Sequence, residues 1–192
     1  MDILGLISQL LRPWAYLRIN ASGKAWFDWI VPFVAAVALS AIILQAGETV
    51  AVFNEGGLVR QITGFLQNLP GFFIAALAAV ATFNRDDLDS LLPAPTPTMV
   101  VTKRGHSFPL ELTRRRFLCA LFAFLTAQTL LIICMGIFAT SLAAWVVQAA
   151  PPALLCSIRG AGTFLFMFLL SQLLAVTSLG LYYLGDRIHV PD

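Results

Sequence analysis

The sequence predicts an all-α membrane protein with four transmembrane helices and an amphipathic N-terminal helix at the membrane interface. Of its 192 residues, 59% are apolar and 11% are charged, the mean hydropathy is +0.84, and the apolar residues gather in four runs. About a quarter of the residues of a soluble domain are charged, so this chain has more apolar surface than one water-soluble core can bury. Lipid is therefore expected to solvate part of a single membrane domain.

Residues 1–28 are predicted to form a cytoplasmic interfacial helix. Apolar side chains recur at helical spacing from Ile3 to Leu17, with Trp14 among them, although Pro13 interrupts the pattern. A short basic segment that contains a tryptophan is typical of a helix lying in the headgroup region. The alternative is a helix packed on the protein's own cytoplasmic face.

The four apolar runs cover residues 29–46, 69–83, 117–147 and 163–184. The second is shorter than the ~20 residues that cross a bilayer, so it needs the preceding residues 58–68 or local thinning of the membrane. The third is longer than a crossing requires, which predicts a tilted helix or one that continues into the outer interface. The outer connections contain glycines that are predicted to form turns, at Gly56 and Gly57 and again at Gly160 and Gly162.

The distribution of lysine and arginine predicts the orientation, because cytoplasmic loops retain positive charge. Ten of these residues precede the first run, lie between the second and third, or follow the fourth, and the outer connections hold only Arg60 and Arg159. Both termini and the central loop are therefore predicted to be cytoplasmic, in a bacterial inner membrane. The predicted regions are the N-terminal helix, helices 1 and 2 at 29–83, the loop at 84–116, helices 3 and 4 at 117–184, and a tail at 185–192.

The central loop is the largest soluble segment and is predicted to bind a cytoplasmic protein. Its charged candidates for that contact are Asp86, Asp87, Asp89, Lys103 and Arg104. The acidic residues lack the glycine and the distal glutamate of an EF-hand, so a solvated turn is the preferred interpretation. Residues 93–98 alternate proline with other residues, which favours an extended polyproline conformation.

The loop ends at Arg114, Arg115 and Arg116, followed by Phe117-Leu118 and the third apolar run. Together with Thr113, these five residues form a six-residue segment that resembles the twin-arginine export signal, but here the motif is internal to the chain. We interpret the three arginines, together with Trp14, as a membrane anchor beside anionic lipid.

Within the apolar runs, small or polar residues indicate how helices pack or oligomerise. Gln128 and Gln172 are predicted to form hydrogen bonds between helices or subunits, and Ala75, Ala79 and Gly136 lie in rows of small residues that permit close approach. No charge is expected in the middle of a span. Because four short spans make a thin bundle, a homo-oligomer is predicted.

The sequence predicts no enzyme, no cofactor and no metal site. Cys119, Cys134 and Cys156 lack zinc or disulfide spacing, and His106 and His189 lack the partners of a catalytic triad. A net charge of +2 without a basic cluster on a soluble domain argues against nucleic-acid binding.

The leading functional hypothesis is a non-enzymatic inner-membrane subunit that oligomerises and anchors or regulates a cytoplasmic protein. In size, span number and layout the chain is similar to membrane components of bacterial anti-phage systems such as the Kiwa type, which implies a soluble partner. One alternative is a small pore lined by Gln128, Thr129, Ser171 and Gln172. Another is an intramembrane enzyme acting on lipid-linked substrates through His106, Asp86 or Asp87.

Overall fold

A computed structural model of the protein describes residues 9–54, 56–83, 86–92, 96–103 and 106–187. It is 80% helical. Within these described ranges, four helical segments are long and apolar enough to cross a membrane, namely Trp26–Gln45, Leu58–Thr82, Arg114–Ala149 and Pro152–Gly185. The prediction of four such segments is confirmed, and a multi-pass membrane protein is compatible with them.

The first segment begins earlier than predicted. Helical structure starts at Lys24, passes through a π-helical turn at Trp26–Ile30 and continues as α1, Val31–Gln45. The helix extends beyond the apolar run predicted from about residue 29, because the hydropathy pattern stops at Asp28, whereas the backbone continues helical through it. This helix therefore includes two charged residues, Lys24 and Asp28, near its beginning.

The second segment consists of two helices, α2 (Leu58–Leu66) and α3 (Leu69–Thr82). The break follows from Pro70, which has no N–H to donate to the carbonyl of Leu66 one turn earlier. Residues 58–68 thus extend the short apolar run to the length of a membrane-crossing segment, which is the first of the two possibilities given above. The turn predicted at Gly57 is also present, and a Cβ there would lie 2.7–2.9 Å from three backbone carbonyl oxygens.

The central segment departs from the all-α prediction. After α4 (Asp86–Asp89), strands β1 (Thr98–Lys103) and β2 (His106–Glu111) pair antiparallel, with Thr98 opposite Glu111. The β-branched run Val100-Val101-Thr102 favours a strand. Of the predicted polyproline stretch, residues 93–95 lie outside the described residues, and Thr98 is the first residue of β1.

The last two helices form a long antiparallel pair. Helix α5 is Arg114–Ala149, and α6 is Pro152–Tyr182 followed by a π-helical turn at Tyr183–Arg187. Helix α6 begins before the fourth apolar run, which was predicted from about residue 163, and the turn predicted at Gly160 and Gly162 is wrong because both residues are helical. Pro152 supplies a fixed φ at the first turn, and a Cβ at Gly162 would approach the Phe53 ring to 3.2 Å, so this glycine serves packing.

The helices pack side by side in the order α1, α6, α5 and then α2 with α3. Among the described residues α1 and α3 share no extensive contact, so the helices make an open row rather than a closed bundle. Only 11–39% of the most apolar stretch of each segment is buried. Most apolar side chains of the row therefore face outward.

A small cap covers the end of the row where α5 begins. The cap consists of a 3-10 helix at Arg12–Arg18, α4 and the β-hairpin. Leu88, Leu92 and Leu112 are buried in it, and the Leu92 N–H donates to the Leu112 carbonyl at 3.1 Å. The central segment is thus a folded structure on this end of the row.

Candidate functional site

A buried ion pair lies at the beginning of the first apolar segment. Lys24 and Asp28, one helical turn apart, form a salt bridge with side chains only 6% and 2% exposed. The Tyr16 hydroxyl donates to Asp28 Oδ1 at 3.2 Å, and Lys24 Nζ lies 3.9 Å from the centroid of the Tyr16 ring. Both charges are thus compensated inside the protein, as buried charges must be.

Gln172 of α6 connects the ion pair to the neighbouring helix. Its Nε2 donates to the backbone carbonyl of Asp28 at 2.7 Å. In an α-helix this carbonyl would accept from residue 32, but that residue is Pro32, which has no N–H. Gln172 therefore supplies a donor at a place where the local sequence removes the α-helical one.

Gln128 of α5 extends the same network. Its Nε2 donates to Gln172 Oε1 at 2.9 Å and to the Leu169 carbonyl at 3.1 Å. Two backbone carbonyls, those of Asp28 and Leu169, can only accept, so they fix the orientation of both amides. Among the described residues, Gln128 Oε1 is buried without a hydrogen-bond partner. We call Tyr16, Lys24, Asp28, Gln128 and Gln172 the polar cluster.

Aromatic rings of the N-terminal segment close the cluster on one side. Tyr16 is fully buried and stacks on Phe124 with a centroid distance of 5.0 Å, while Trp14 meets the same ring edge-on at 5.4 Å. At its other end the cluster extends well inside the row, because Gln128 is about 18 Å along the α5 axis from Arg116 at ~1.5 Å per residue.

The cluster has the chemistry of a charge-holding and packing site. Its carboxylate is neutralised by an ammonium group, and the remaining members are amides and a phenol. Across the described parts of the chain, no group of three His, Cys, Asp or Glu side chains could hold a metal ion. A buried ionisable pair in an apolar helix is costly and marks a functional candidate.

A second polar centre joins the cap to the row through Arg115. Its Nε and Nη2 donate to the two carboxylate oxygens of Asp89 at 2.8 and 2.9 Å. Its Nη1 donates to the carbonyls of Val80 and Phe83, both at 2.8 Å. One guanidinium thus binds α4 and also caps the C-terminal end of α3, where a positive charge is favoured. These hydrogen bonds hold the pKa of Asp89 below its ordinary value, so the pair forms at neutral pH and is lost only in acid.

We expect Arg115→Lys to loosen the end of α3, although it preserves the charge. An ammonium group cannot reproduce the planar fork that reaches the Asp89 carboxylate and two carbonyls together. Amide hydrogen exchange at residues 80–83 should rise in this variant. Arg116→Lys is the matched control because Arg116 is exposed, and equal exchange in the two variants would contradict the assignment.

At the opposite end of the row, Arg159 of α6 has a similar arrangement. Its Nη2 donates to the carbonyls of Gly47 at 2.7 Å and Val50 at 3.2 Å, just past the C-terminal end of α1. Each end of the row therefore has an arginine of one helix that binds carbonyls at the end of another.

The predicted site residues are distributed over both polar centres and the outer faces. Gln128 and Gln172 meet directly, Gly136 is buried against Thr63, Ala79 is half-buried and Ala75 is exposed. In the predicted anchor, Trp14 is half-buried on Phe124, Arg114 is buried, Arg115 makes the bonds described above, and Arg116 is exposed. Asp89 binds Arg115, Asp86 and Asp87 lie in α4 and Lys103 ends β1, whereas Arg104 lies outside the described residues.

Sequence reasoning missed Tyr16, Lys24 and Asp28. In the charge pattern Lys24 is one of the ten basic residues predicted to be cytoplasmic, and by hydropathy the first apolar run begins only after Asp28. A signal was present, since a Lys and an Asp four residues apart lie on one helical face and Pro32 follows Asp28 by another four.

The architecture defines a class of helical protein with four potential membrane spans and a small cap at one end. In comparisons with family models, curated proteins and solved structures, no match to this chain was found.

Proposed function

We propose that this protein is a non-enzymatic, multi-pass membrane subunit that holds or regulates a cytoplasmic protein through its cap. Its four apolar segments would lie in lipid, which accounts for the outward-facing apolar side chains of the row. The excess of lysine and arginine on the cap side favours a cytoplasmic location for the cap and both termini.

The observation that carries this proposal is the folded state of the central segment. Its hairpin is bonded to the rest of the cap: the Asn20 N–H donates to the Thr98 carbonyl at 3.0 Å, and the Leu92 N–H donates at 3.1 Å to the carbonyl of Leu112, directly after β2. A preformed surface loses less conformational entropy on binding than a flexible loop does. Phe108 of β2 is 41% exposed on this surface and is the aromatic side chain best placed to contact a partner.

The open row of helices also supports the proposed homo-oligomer. A closed four-helix bundle shields one face of every helix, whereas here large apolar side chains such as Phe138 and Trp145, each 65% exposed, have no protein neighbour over most of their surface. Packing of a second copy on such a face would replace lipid contacts by van der Waals contacts between helices. Native mass spectrometry of protein released from nanodiscs measures the number of copies.

The contacts favour this function over a pore. Gln128 and Gln172 are 0% and 3% exposed, and their amide groups are bonded to each other and to backbone carbonyls. A water path along them would first have to break these bonds.

The proposal is tested by Phe108→Ser. Partner proteins recovered from gently solubilised membranes are quantified by mass spectrometry, and the specific partner should fall at least tenfold with this variant, as for loss of an aromatic hot spot. The control is Gln148→Ala, an exposed position at the opposite end of the row, which should recover the partner at the level of the unmodified protein. Equal recovery from both variants, or recovery of this chain alone, would overturn the proposal.

The resemblance in layout to anti-phage membrane components adds a biological test. In a host that carries the gene with its neighbours, we expect phage plating to drop when the unmodified protein is present. The Phe108→Ser variant should restore plating, and plating that is the same with and without the gene would refute a role in defence.

A further inference from the structure

We propose that residues 12–20, which we call the lid segment, form a movable lid over the polar cluster, and that the β-hairpin holds this lid closed. The link from lid to protein partner rests on the function proposed above. The lid itself is inferred from contacts within the chain and is tested without any partner.

The lid segment bonds to the hairpin at one end and to the cluster in its middle. The Asn20 N–H donates to the Thr98 carbonyl at 3.0 Å, and the Thr98 N–H donates to the Asn20 carbonyl at 3.2 Å. Four residues earlier in the chain, Tyr16 binds Asp28. A continuous series of contacts therefore runs from β1 through the lid segment to Asp28, Gln172 and Gln128.

The chain next to the lid segment has the features of a hinge. Gly23, between the lid segment and the first apolar helix, has φ of +78°, and a Cβ built there would meet no atom within 4 Å. A left-handed backbone that only glycine adopts readily, in open space, permits rotation at this turn. Within the lid segment, Arg12–Arg18 form a 3-10 helix that is not part of the helical row.

Displacing the lid would change the surroundings of the ion pair. Tyr16 is the aromatic ring directly over Lys24 and also a hydrogen-bond donor to Asp28. Without it, one side of both charged groups would face solvent or headgroups instead of an aromatic ring. A protein that binds the hairpin and separates β1 from Asn20 would thereby admit water to the Lys24–Asp28 pair that Tyr16 covers.

The first test replaces Asn20 by proline. Asn20→Pro removes the N–H that donates to Thr98, and the preceding Ile19, at φ −67° and ψ 122°, already has the extended backbone that proline requires before it. Asn20→Ala is the matched control because it retains the backbone N–H. Amide hydrogen exchange of the full chain in nanodiscs is measured over residues 12–28. We expect exchange there to rise about tenfold in Asn20→Pro, as for loss of one or two net hydrogen bonds, and to be unchanged in Asn20→Ala.

The second test locks the lid. Asn20 and Thr98 form a doubly hydrogen-bonded antiparallel pair, whose Cα atoms are about 5.5 Å apart and so suit a disulfide. With the three native cysteines replaced by serine, oxidised Asn20→Cys/Thr98→Cys should exchange more slowly than the unmodified protein over residues 12–28, and reduction should return the exchange to the level of the unmodified protein.

Three results would overturn the lid. The first is unchanged amide exchange over residues 12–28 in Asn20→Pro. The second is a rise in that variant that is equally large in α2, at the opposite end of the row. The third is exchange in the oxidised cysteine pair that is as fast as in Asn20→Pro. If the unmodified protein recovers a partner but the lid tests fail, the proposed function stands without the lid. If the lid tests succeed but no partner is recovered, the lid stands without the proposed function.

Discussion

Replacing Asp28 by asparagine is expected to lower the free energy of unfolding by about 3–5 kcal/mol, the usual cost of removing one partner of a buried ion pair. Lys24, which is 7% exposed, would be left in an apolar surrounding without a counter-ion. Asparagine retains the size of the side chain, so packing changes little. Unfolding in mixed micelles with increasing denaturing detergent measures the loss.

The double variant Lys24→Met/Asp28→Leu is the control for this prediction. Because it removes both charges and keeps similar volumes, it should lie within about 1.5 kcal/mol of the unmodified protein. The difference between single and double variants separates an unpaired charge from a general packing defect. A double variant as unstable as Asp28→Asn would show that packing, and not charge, accounts for the loss.

Replacing Gly136 by leucine is expected to detach α2 from α5 and to cost about 1–3 kcal/mol, as overpacking of a close contact does. A Cβ at this position would lie 2.3 Å from Thr63 Oγ1 and 3.4 Å from Val59 Cγ1, so a leucine side chain has no room there. The same detergent titration measures the loss, and amide exchange in α2 reports the detachment.

Ala144→Leu is the matched control for Gly136→Leu. Ala144 lies two turns further along the same row of small residues but is exposed, so a larger side chain there should leave the free energy of unfolding within about 0.5 kcal/mol. Equal effects at the two positions would indicate that small residues are required along this whole face of α5, and not only at the contact with Thr63.

The row of helices was largely predictable, and its boundaries were less so. Hydropathy locates the apolar runs because lipid-facing helices must be apolar throughout. It does not locate the ends, since a helix continues through polar residues wherever neighbouring groups complete its hydrogen bonds. Asp28 shows this, because the donor for its carbonyl comes from Gln172, 144 residues later. Gly160 and Gly162 show the reverse: the sequence pattern predicts a turn, but both are helical, and Gly162 lies in close contact with the Phe53 ring.

Some of the polar contacts could likewise be predicted from the sequence, and others could not. Gln128 and Gln172 could be expected to bond across helices because an amide has no other way to satisfy its hydrogen-bonding capacity in an apolar layer. Arg115 was expected to face lipid headgroups, since a row of arginines before a span has that pattern. Its position opposite Asp89 and the open carbonyls of α3 depends on how the cap folds, and that fold brings together residues 26 apart in sequence.

By itself, the sequence determined that this protein has four apolar helical segments, because composition and run length decide whether a helix needs an apolar solvent. It also determined that most lysines and arginines lie in the segments before the first apolar run, between the second and the third, and after the fourth. Only the tertiary structure decided that Tyr16 covers Lys24 and Asp28, that the loop between helices is a β-hairpin, and that the hairpin bonds to Asn20. The physical reason is that hydrophobic burial is a sum over residues, whereas a buried charge or an open carbonyl is stable only beside a specific partner that folding brings from elsewhere in the chain.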